Sequence, residues 1–275
     1  GFSAQRSLPK WRGDVFSAQP GMAQGGGTIN GEVVLLVDTF NNYFEPENAR
    51  AALAVLRAAG YVVHLPQAQD GKRPLCCGRT FLAAGLVDEA KIEARRMLAA
   101  LTPFVERGVP VLGLEPACLF GLRDEFISML PGADSAALAL NAMLFEEFLA
   151  READAGRLKL ALKALPQTKA LLHGHCHQKA FDAMPAVLKA LKLVPGLEVE
   201  TIESSCCGMA GSFGYEAQHY AVSMKMAEAS LLPKVREAGA DTLIVADGTS
   251  CRHQIHDGAQ RAALHVARVL QRALE

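Results

Sequence analysis

Seven cysteines are spread over 275 residues, and four of them stand in two adjacent pairs, Cys76–Cys77 in "PLCCGRTFLAAG" and Cys206–Cys207 in "SSCCGMAGSFGYE". Sulfurs grouped in this way suit a disulfide, a metal or cluster site, or thiol chemistry on a disulfide substrate. Geometry disfavours a bond within a pair, because neighbouring Cα atoms lie about 3.8 Å apart whereas disulfide-linked residues usually sit at about 4.4–6.8 Å. An odd number of cysteines, unevenly grouped, also argues against a disulfide framework. In an extended strand adjacent side chains face opposite ways, so both sulfurs of a pair serve one centre only if the backbone turns there. Gly78 and Gly208 follow the pairs at once, and glycine is the residue that makes such a turn easy.

The elements that must position these sulfurs form an internal repeat. One half runs "GEVVLLVDTF", the amphipathic "ENARAALAVLRAAG", "YVVHLP", the first CCG, a helical pattern from about 86 to 106, and "VPVLGLEPAC". The other runs "KALLHGHC", "MPAVLKALKLV", "LEVETIES", the second CCG, a helical pattern from about 216 to 238, and "DTLIVADGTSC". The offsets are nearly constant: 130 from Cys77 to Cys207, 133 from Cys118 to Cys251 and 137 from Thr39 to Cys176. Short β-rich runs alternating with helical patterns predict an α/β fold of two repeated Rossmann-like βαβ halves with parallel sheets. The expected organisation is a linker or N-terminal arm over 1–30, containing the "GGG" at 25–27, a first CCG half over 31–150 and a second over 151–275. Each cysteine group then falls just after a predicted strand and outside any helix. Parallel strands present their carboxyl ends on one sheet edge, where open α/β folds bind ligands.

In the second half Cys176, Cys206, Cys207 and Cys251 are expected to meet, and four thiolates suit an iron–sulfur cluster or a tetrahedral zinc. A helix expected to begin near Met209 would aim its N–H groups at the sulfurs, and Gly208, Gly211 and Gly214 would let backbone approach a bulky group. In the first half Cys76, Cys77 and Cys118 repeat three of the four positions, with Asp38 or Thr39 at the fourth. Three thiolates there could hold a metal with an oxygen ligand or an open position, or the site could be degenerate. His173, His175 and His177 bracket Cys176, and His253 follows Cys251 by two. If the chain turns at Gly174, His175 or His177 could serve as a ligand or proton carrier; hydrogen-bonded loop histidines are the plainer alternative. His64, His219 and His265 read as structural or surface residues.

Bulk properties narrow the classes. Half of the residues are hydrophobic, and 28 basic residues nearly cancel 29 acidic ones without a run of like charge, which leaves nucleic-acid binding without electrostatic support. No apolar stretch is long enough to span a bilayer and no secretory signal opens the chain, so the expectation is a soluble cytoplasmic protein. A ferredoxin-type CxxCxxCxxxCP run, a G-x-G-x-x-G after a strand and a G-x-S-x-G elbow are all missing from the sequence. Hydride chemistry would therefore need a flavin carried elsewhere.

With these residues in hand, the two CCG blocks, each with an upstream strand-end position and a downstream cysteine, resemble the duplicated cysteine-rich CCG domain. It is found in the B subunit of heterodisulfide reductase, the glycolate oxidase iron–sulfur subunit, the C subunit of anaerobic glycerol-3-phosphate dehydrogenase and lactate-utilisation proteins. "LLVDTFNNYFEPENARAAL", "LEPACLFGLRDEF", "LLHGHCHQKAF" and "ADGTSCRHQI" look most like the C-terminal region of fused FAD-linked oxidases, and "GFSAQRSLPKW" like the joint after their ferredoxin segment. The resemblance implies an iron–sulfur electron-transfer module, most naturally with a [4Fe–4S] cluster, and zinc in some relatives. FAD would sit on a partner domain or subunit, with a ferredoxin-like partner and a quinone or other acceptor, and any membrane contact would be peripheral and through partners. The family pattern ends in CxxC; here Glu115 and Gly248 stand at its first position and Cys118 and Cys251 at its second.

Overall fold

A computed structural model describes residues 1–16 and 30–274. The chain forms two compact units, Arg12–Ala161 and Leu162–Glu275, the latter together with Gly1–Trp11. The "GGG" of the expected linker lies outside the described residues.

In the first unit, β1 (Gly31–Leu36) leads through the short α1 (Thr39–Tyr43) to α2 (Pro46–Ala58) and β2 (Tyr61–His64). The first CCG loop follows, then α3 (Arg79–Ala83), α4 (Val87–Val105) and β3 (Val111–Gly113). The unit closes with α5 (Pro116–Arg123), α6 (Glu125–Met129), α7 (Ala133–Asn141), β4 (Ala142–Leu144) and α8 (Phe145–Asp154). The second unit repeats the plan: β5 (Lys169–Leu172), α9 (Cys176–Ala180), α10 (Met184–Leu191) and β6 (Glu198–Thr201). After the second CCG come α11 (Tyr220–Glu228), α12 (Leu231–Glu237), β7 (Leu243–Val245), α13 (Thr249–Ala259), β8 (Ala263–Leu264) and α14 (Val266–Leu274).

Each unit holds a four-stranded, all-parallel sheet, in the order β2-β1-β3-β4 and β6-β5-β7-β8. The α/β fold of two repeated halves is therefore the observed one. Burial follows the rule for parallel strands covered on both faces: Val33, Val34, Leu35 and Leu36 of β1 and Leu243, Ile244 and Val245 of β7 are all buried. In both sheets the chain leaves the first strand in one direction and crosses back to the other side. The crevice between β1 and β3, and between β5 and β7, is thus the switch point at which such sheets bind ligands.

Three sequence expectations need correction. Cysteines do enter helices: Cys118, Cys176 and Cys251 sit in the first turns of α5, α9 and α13. No helix starts near Met209, because Gly208, Ala210 and Gly211 all take positive φ (+88°, +42° and +68°) and the chain turns through a single 3-10 turn, Phe213–Tyr215, before α11. The pattern at 216–238 divides into α11 and α12, since Pro233 lacks the N–H that a continuous helix requires and is accommodated in a new first turn. The pattern at 86–106, by contrast, is one helix, α4.

Candidate metal centre

The second-half site is built at the carboxyl ends of β5, β6 and β7. β5 ends at Leu172, and His173 and Gly174 carry the chain into α9, whose N-cap is His175. The imidazole Nδ1 of His175 accepts from the His177 N–H at 3.1 Å, and its own backbone N–H donates to Gln178 Oε1 at 2.9 Å. Gln178 Nε2 in turn donates to Asp247 Oδ2 at 2.8 Å, and Asp247 Oδ1 accepts from the Val266 N–H at 2.9 Å, so the loops after β5 and β7 are fastened together. Position 248 has no room for a side chain: a Cβ there would lie 2.4 Å from His175 Cδ2 and 3.3 Å from Cys251 Sγ. Glycine stands at 248 because the His175 ring occupies that space.

The loop after β6 brings in the cysteine pair. Gly208 turns with φ +88°, its N–H points back at Cys206 Sγ at 3.3 Å, and a Cβ would strike the Ser223 carbonyl of α11 at 2.2 Å. The close approach at this glycine is therefore to α11. Gly211 also has positive φ but faces open space, whereas Gly214 is packed against Met209 and Ser223. Lys179 Nζ donates to the carbonyls of Ser204 and, at 3.0 Å, Ser205, holding the approach to the pair.

The four sulfurs form an unbroken run of hydrogen-bonded neighbours, Cys176 to Cys206 to Cys207 to Cys251. Cys207, Met209 and Cys251 belong to the apolar core with Leu171, Ile202, Leu231 and Ile244, while Cys206 packs on its margin and Cys176 is exposed. Their protonation alternates along the run. Cys206 is held down first by a hydrogen bond from Cys176, and Cys251 first by one from Cys207, with a hydrogen bond from His173 also working against burial. The donors Cys176 and Cys207 are pushed up. Burial holds the Lys179 ammonium below its usual value, opposed first by the charge of Cys251.

Two trios of ligand atoms close to within 4.8 Å of one another: the fully buried His173, Cys207 and Cys251, and, toward the surface, His175, Cys176 and His177. The outer sulfur lies 3.8 Å from His175 Nδ1 and 3.7 Å from His177 Nδ1, and the two rings stack at 5.1 Å. The expected pair His175 and His177 is therefore placed beside Cys176. His253 instead faces Tyr215, whose hydroxyl lies 2.8 Å from its Nδ1. Soft sulfur donors, borderline imidazole and a buried His173 ring beside Cys207 and Cys251 fit a thiophilic metal ion or an iron–sulfur cluster.

Sequence reading overlooked several residues here, most of all Arg6. Its guanidinium is buried in the second unit, where Nε donates to the Gly214 carbonyl at 2.8 Å, Nη2 to Ser223 Oγ at 2.7 Å and Nη1 to Gln254 Oε1, with Asp257 at 3.7 Å. Gln254 Nε2 passes the connection on to the Cys207 carbonyl at 2.8 Å. No local pattern announces a contact between residues 248 positions apart.

The first-half site repeats the turn with different surroundings. Gly78 has φ +76° and its N–H points at Cys76 Sγ at 3.4 Å. Cys76 and Cys77, and Cys77 and Cys118, are hydrogen-bonded neighbours, and the Thr39 hydroxyl reaches Cys76. Asp38 caps α1, accepting from the Phe40 and Asn41 N–H groups at 2.9 and 3.1 Å, and burial pushes its carboxyl up. Among the described residues no trio of candidate ligand atoms drawn from this unit alone closes to within 4.8 Å.

Comparison with known proteins agrees with this geometry. Residues 170–256 match the cysteine-rich domain CCG. The chain is 30% identical over 272 residues to the C subunit of anaerobic glycerol-3-phosphate dehydrogenase from Escherichia coli (strain K12), covering 98% of this chain and 66% of the relative. It is 31% identical over 242 residues to D-2-hydroxyglutarate dehydrogenase of Pseudomonas putida, covering 86% of this chain and 22% of that protein. With lactate utilization protein A 2 of Bacillus cereus (strain Q1) it shares 23% over 256 residues, 88% of this chain and 99% of the relative. The chain thus spans just under two thirds of the first relative and about a fifth of the second. Residues 170–256 thus carry the cysteine-rich CCG domain, and the first half repeats its CCG turn at the matching edge of its own sheet.

Proposed function

We propose that this chain is an iron–sulfur electron-transfer module of a flavin-linked 2-hydroxyacid oxidoreductase, with Cys176, Cys206, Cys207 and Cys251 holding a [4Fe–4S] cluster. The observation that carries the reading is the unbroken run of four neighbouring sulfurs at a sheet switch point. When bound, the cluster supplies an electron carrier. The chain's own residues orient the sulfurs, exclude water on the core side through Leu171, Ile202 and Ile244, and leave Cys176 at the open edge where a redox partner approaches. The names of the relatives, a D-2-hydroxyglutarate dehydrogenase, a component of a glycerol-3-phosphate dehydrogenase and a lactate utilization protein, support the substrate class.

On this reading hydride removal takes place on FAD of a partner domain or subunit. Electrons then pass through a ferredoxin-like partner to the CCG site and on to a quinone or another acceptor. The module works in the reducing cytoplasm. No helix among the described residues is long and apolar enough to cross a membrane, so membrane association would run through partners. Gly208 and Gly211 shape the loop around the cofactor, His175 and His177 line its outer side and His253 its periphery. Cys76, Cys77 and Cys118 form a second, weaker metal site.

Protein purified without oxygen is expected to be brown, to contain iron and acid-labile sulfide, and to give an EPR signal on reduction. A second reading, a zinc-stabilised docking module, is favoured by the compact His173–Cys207–Cys251 trio, which suits a single tetrahedral ion. Colourless protein with stoichiometric zinc and no sulfide would select it, and protein that binds neither would overturn both.

A further inference from the structure

We infer that His173 is a metal-binding residue of the second-half centre, its Nε2 joining the sulfurs of Cys207 and Cys251 as a nitrogen donor to a thiophilic divalent metal. The inference rests on the metal-centre reading above and changes its ligand set from sulfur alone to mixed imidazole and thiolate.

His173 directly follows β5, is 1% exposed, and brings a ring nitrogen to within 4.8 Å of the sulfurs of Cys207 and Cys251, which are themselves within that distance of each other. Hydrogen bonding then decides which nitrogen is free. His173 Nδ1 lies 2.9 Å from Ser204 Oγ. The Ser204 hydroxyl donates to the Ile202 carbonyl at 3.5 Å and accepts from Lys179 Nζ at 3.4 Å. With the Ile202 carbonyl in reach of its proton, Ser204 can receive the Nδ1 proton, which supports the tautomer whose Nε2 presents a lone pair to a metal. That Nε2 is buried and meets no oxygen or nitrogen; the group the ring touches on this side is the Cys251 sulfur.

A buried ring nitrogen facing sulfur in place of an oxygen or nitrogen partner is a cost that folds rarely carry without reason. A metal ion removes it, and the arrangement matches the usual one for ligating histidines, in which the distal N–H is held by an oxygen that sets tautomer and ring direction. The outer histidines are less suited to this corner, since His175 Nδ1 is engaged in capping α9 and His177 lies beside the exposed Cys176.

The test uses cobalt(II) as a probe ion, titrated without oxygen into the full chain labelled with [15N]histidine. The wild-type protein is expected to show thiolate-to-cobalt absorption and, by pulsed EPR, a directly bonded imidazole nitrogen. His173→Gln should keep the thiolate band, lose that coupling and bind cobalt more than about 100-fold more weakly, beyond the roughly 10–100-fold that loss of an outer-shell partner causes. Ser204→Ala should keep the coupling and weaken binding by about 10–100-fold, and His256→Gln, on the exposed side of α13, should change nothing. Retention of coupling and affinity in His173→Gln overturns the inference and leaves the metal centre standing. A wild-type spectrum with the thiolate band but no imidazole coupling does the same without relying on any variant. Absence of the thiolate band from wild type overturns the metal-centre reading and the inference with it.

Discussion

The two halves share a turn and differ in what surrounds it. Both CCG loops turn on a positive-φ glycine and point that glycine's N–H at the first sulfur of the pair, at 3.4 Å in the first half and 3.3 Å in the second. By the offset of 137, Asp38 corresponds to His175, Thr39 to Cys176 and Leu36 to His173; by the offset of 133, Glu115 corresponds to Gly248. Where the second half has imidazole and thiol, the first has carboxylate, hydroxyl and hydrocarbon. The consequence shows at the equivalent cysteines of the third loop. Cys118 accepts a hydrogen bond from Cys77, yet burial and the carboxylates Asp38 and Glu115 push its thiol up to about 11. Cys251 accepts the same kind of bond from Cys207, and with His173 and His175 where the first half has Leu36 and Asp38, and Gly248 where it has Glu115, it is held well below its usual value. The same turn of backbone thus carries different surroundings, and of these two equivalent cysteines only Cys251 is held toward the thiolate.

The difference between the halves should be largest at the ligands. Cys207→Ser is expected to abolish the tight metal binding of the anaerobically reconstituted chain, whereas Cys77→Ser should leave most of it; metal analysis after desalting distinguishes them, and equal losses would refute the asymmetry. Thr39→Cys restores a sulfur at the position equivalent to Cys176 and should raise the metal retained by the first half, read as additional metal per chain in a Cys207→Ser background.

A second asymmetry lies in the N-terminal residues. Arg6→Met removes a buried cation from Gln254, Ser223, Gly214 and Asp257, and stranding such partners should destabilise the second unit by about 3–5 kcal/mol in urea unfolding. Arg12 pairs with Asp14 at the surface of the first unit, and Arg12→Ala should leave unfolding nearly unchanged, because exposed ion pairs contribute little. Effects smaller than that at Arg6 are expected at the turns. Gly208→Ala and Gly78→Ala each force a side chain into positive φ at about 1–2 kcal/mol. Gly208→Ala should cost more, since its Cβ meets a backbone carbonyl at 2.2 Å rather than 2.9 Å; equal melting temperatures would count against this.

Much of this was legible beforehand. The strongly periodic 86–106 stretch is one helix, and each cysteine group does follow a strand, because alternating β and α patterns with constant offsets leave little freedom to a parallel sheet. The stretch at 216–238 misled because residue periodicity continues across Pro233 while the backbone hydrogen-bond ladder does not. The site's supports were less visible. Arg6 with Gln254, Lys179 with Ser204, and Gln178 with Asp247 are ordinary polar residues until the fold buries them together, and no local spacing marks such pairs.

Read alone, the chain already determined that its sulfurs gather at two sheet edges, since a glycine after each pair and a strand before each group are local properties. Which histidine turns inward was decided only by the tertiary structure. Strict strand alternation would set His173, His175 and His177 on one face, but the chain leaves the strand after Leu172 and enters α9 at Cys176. That change of backbone path sends His173 down to the buried sulfurs and leaves His175 and His177 with the exposed one.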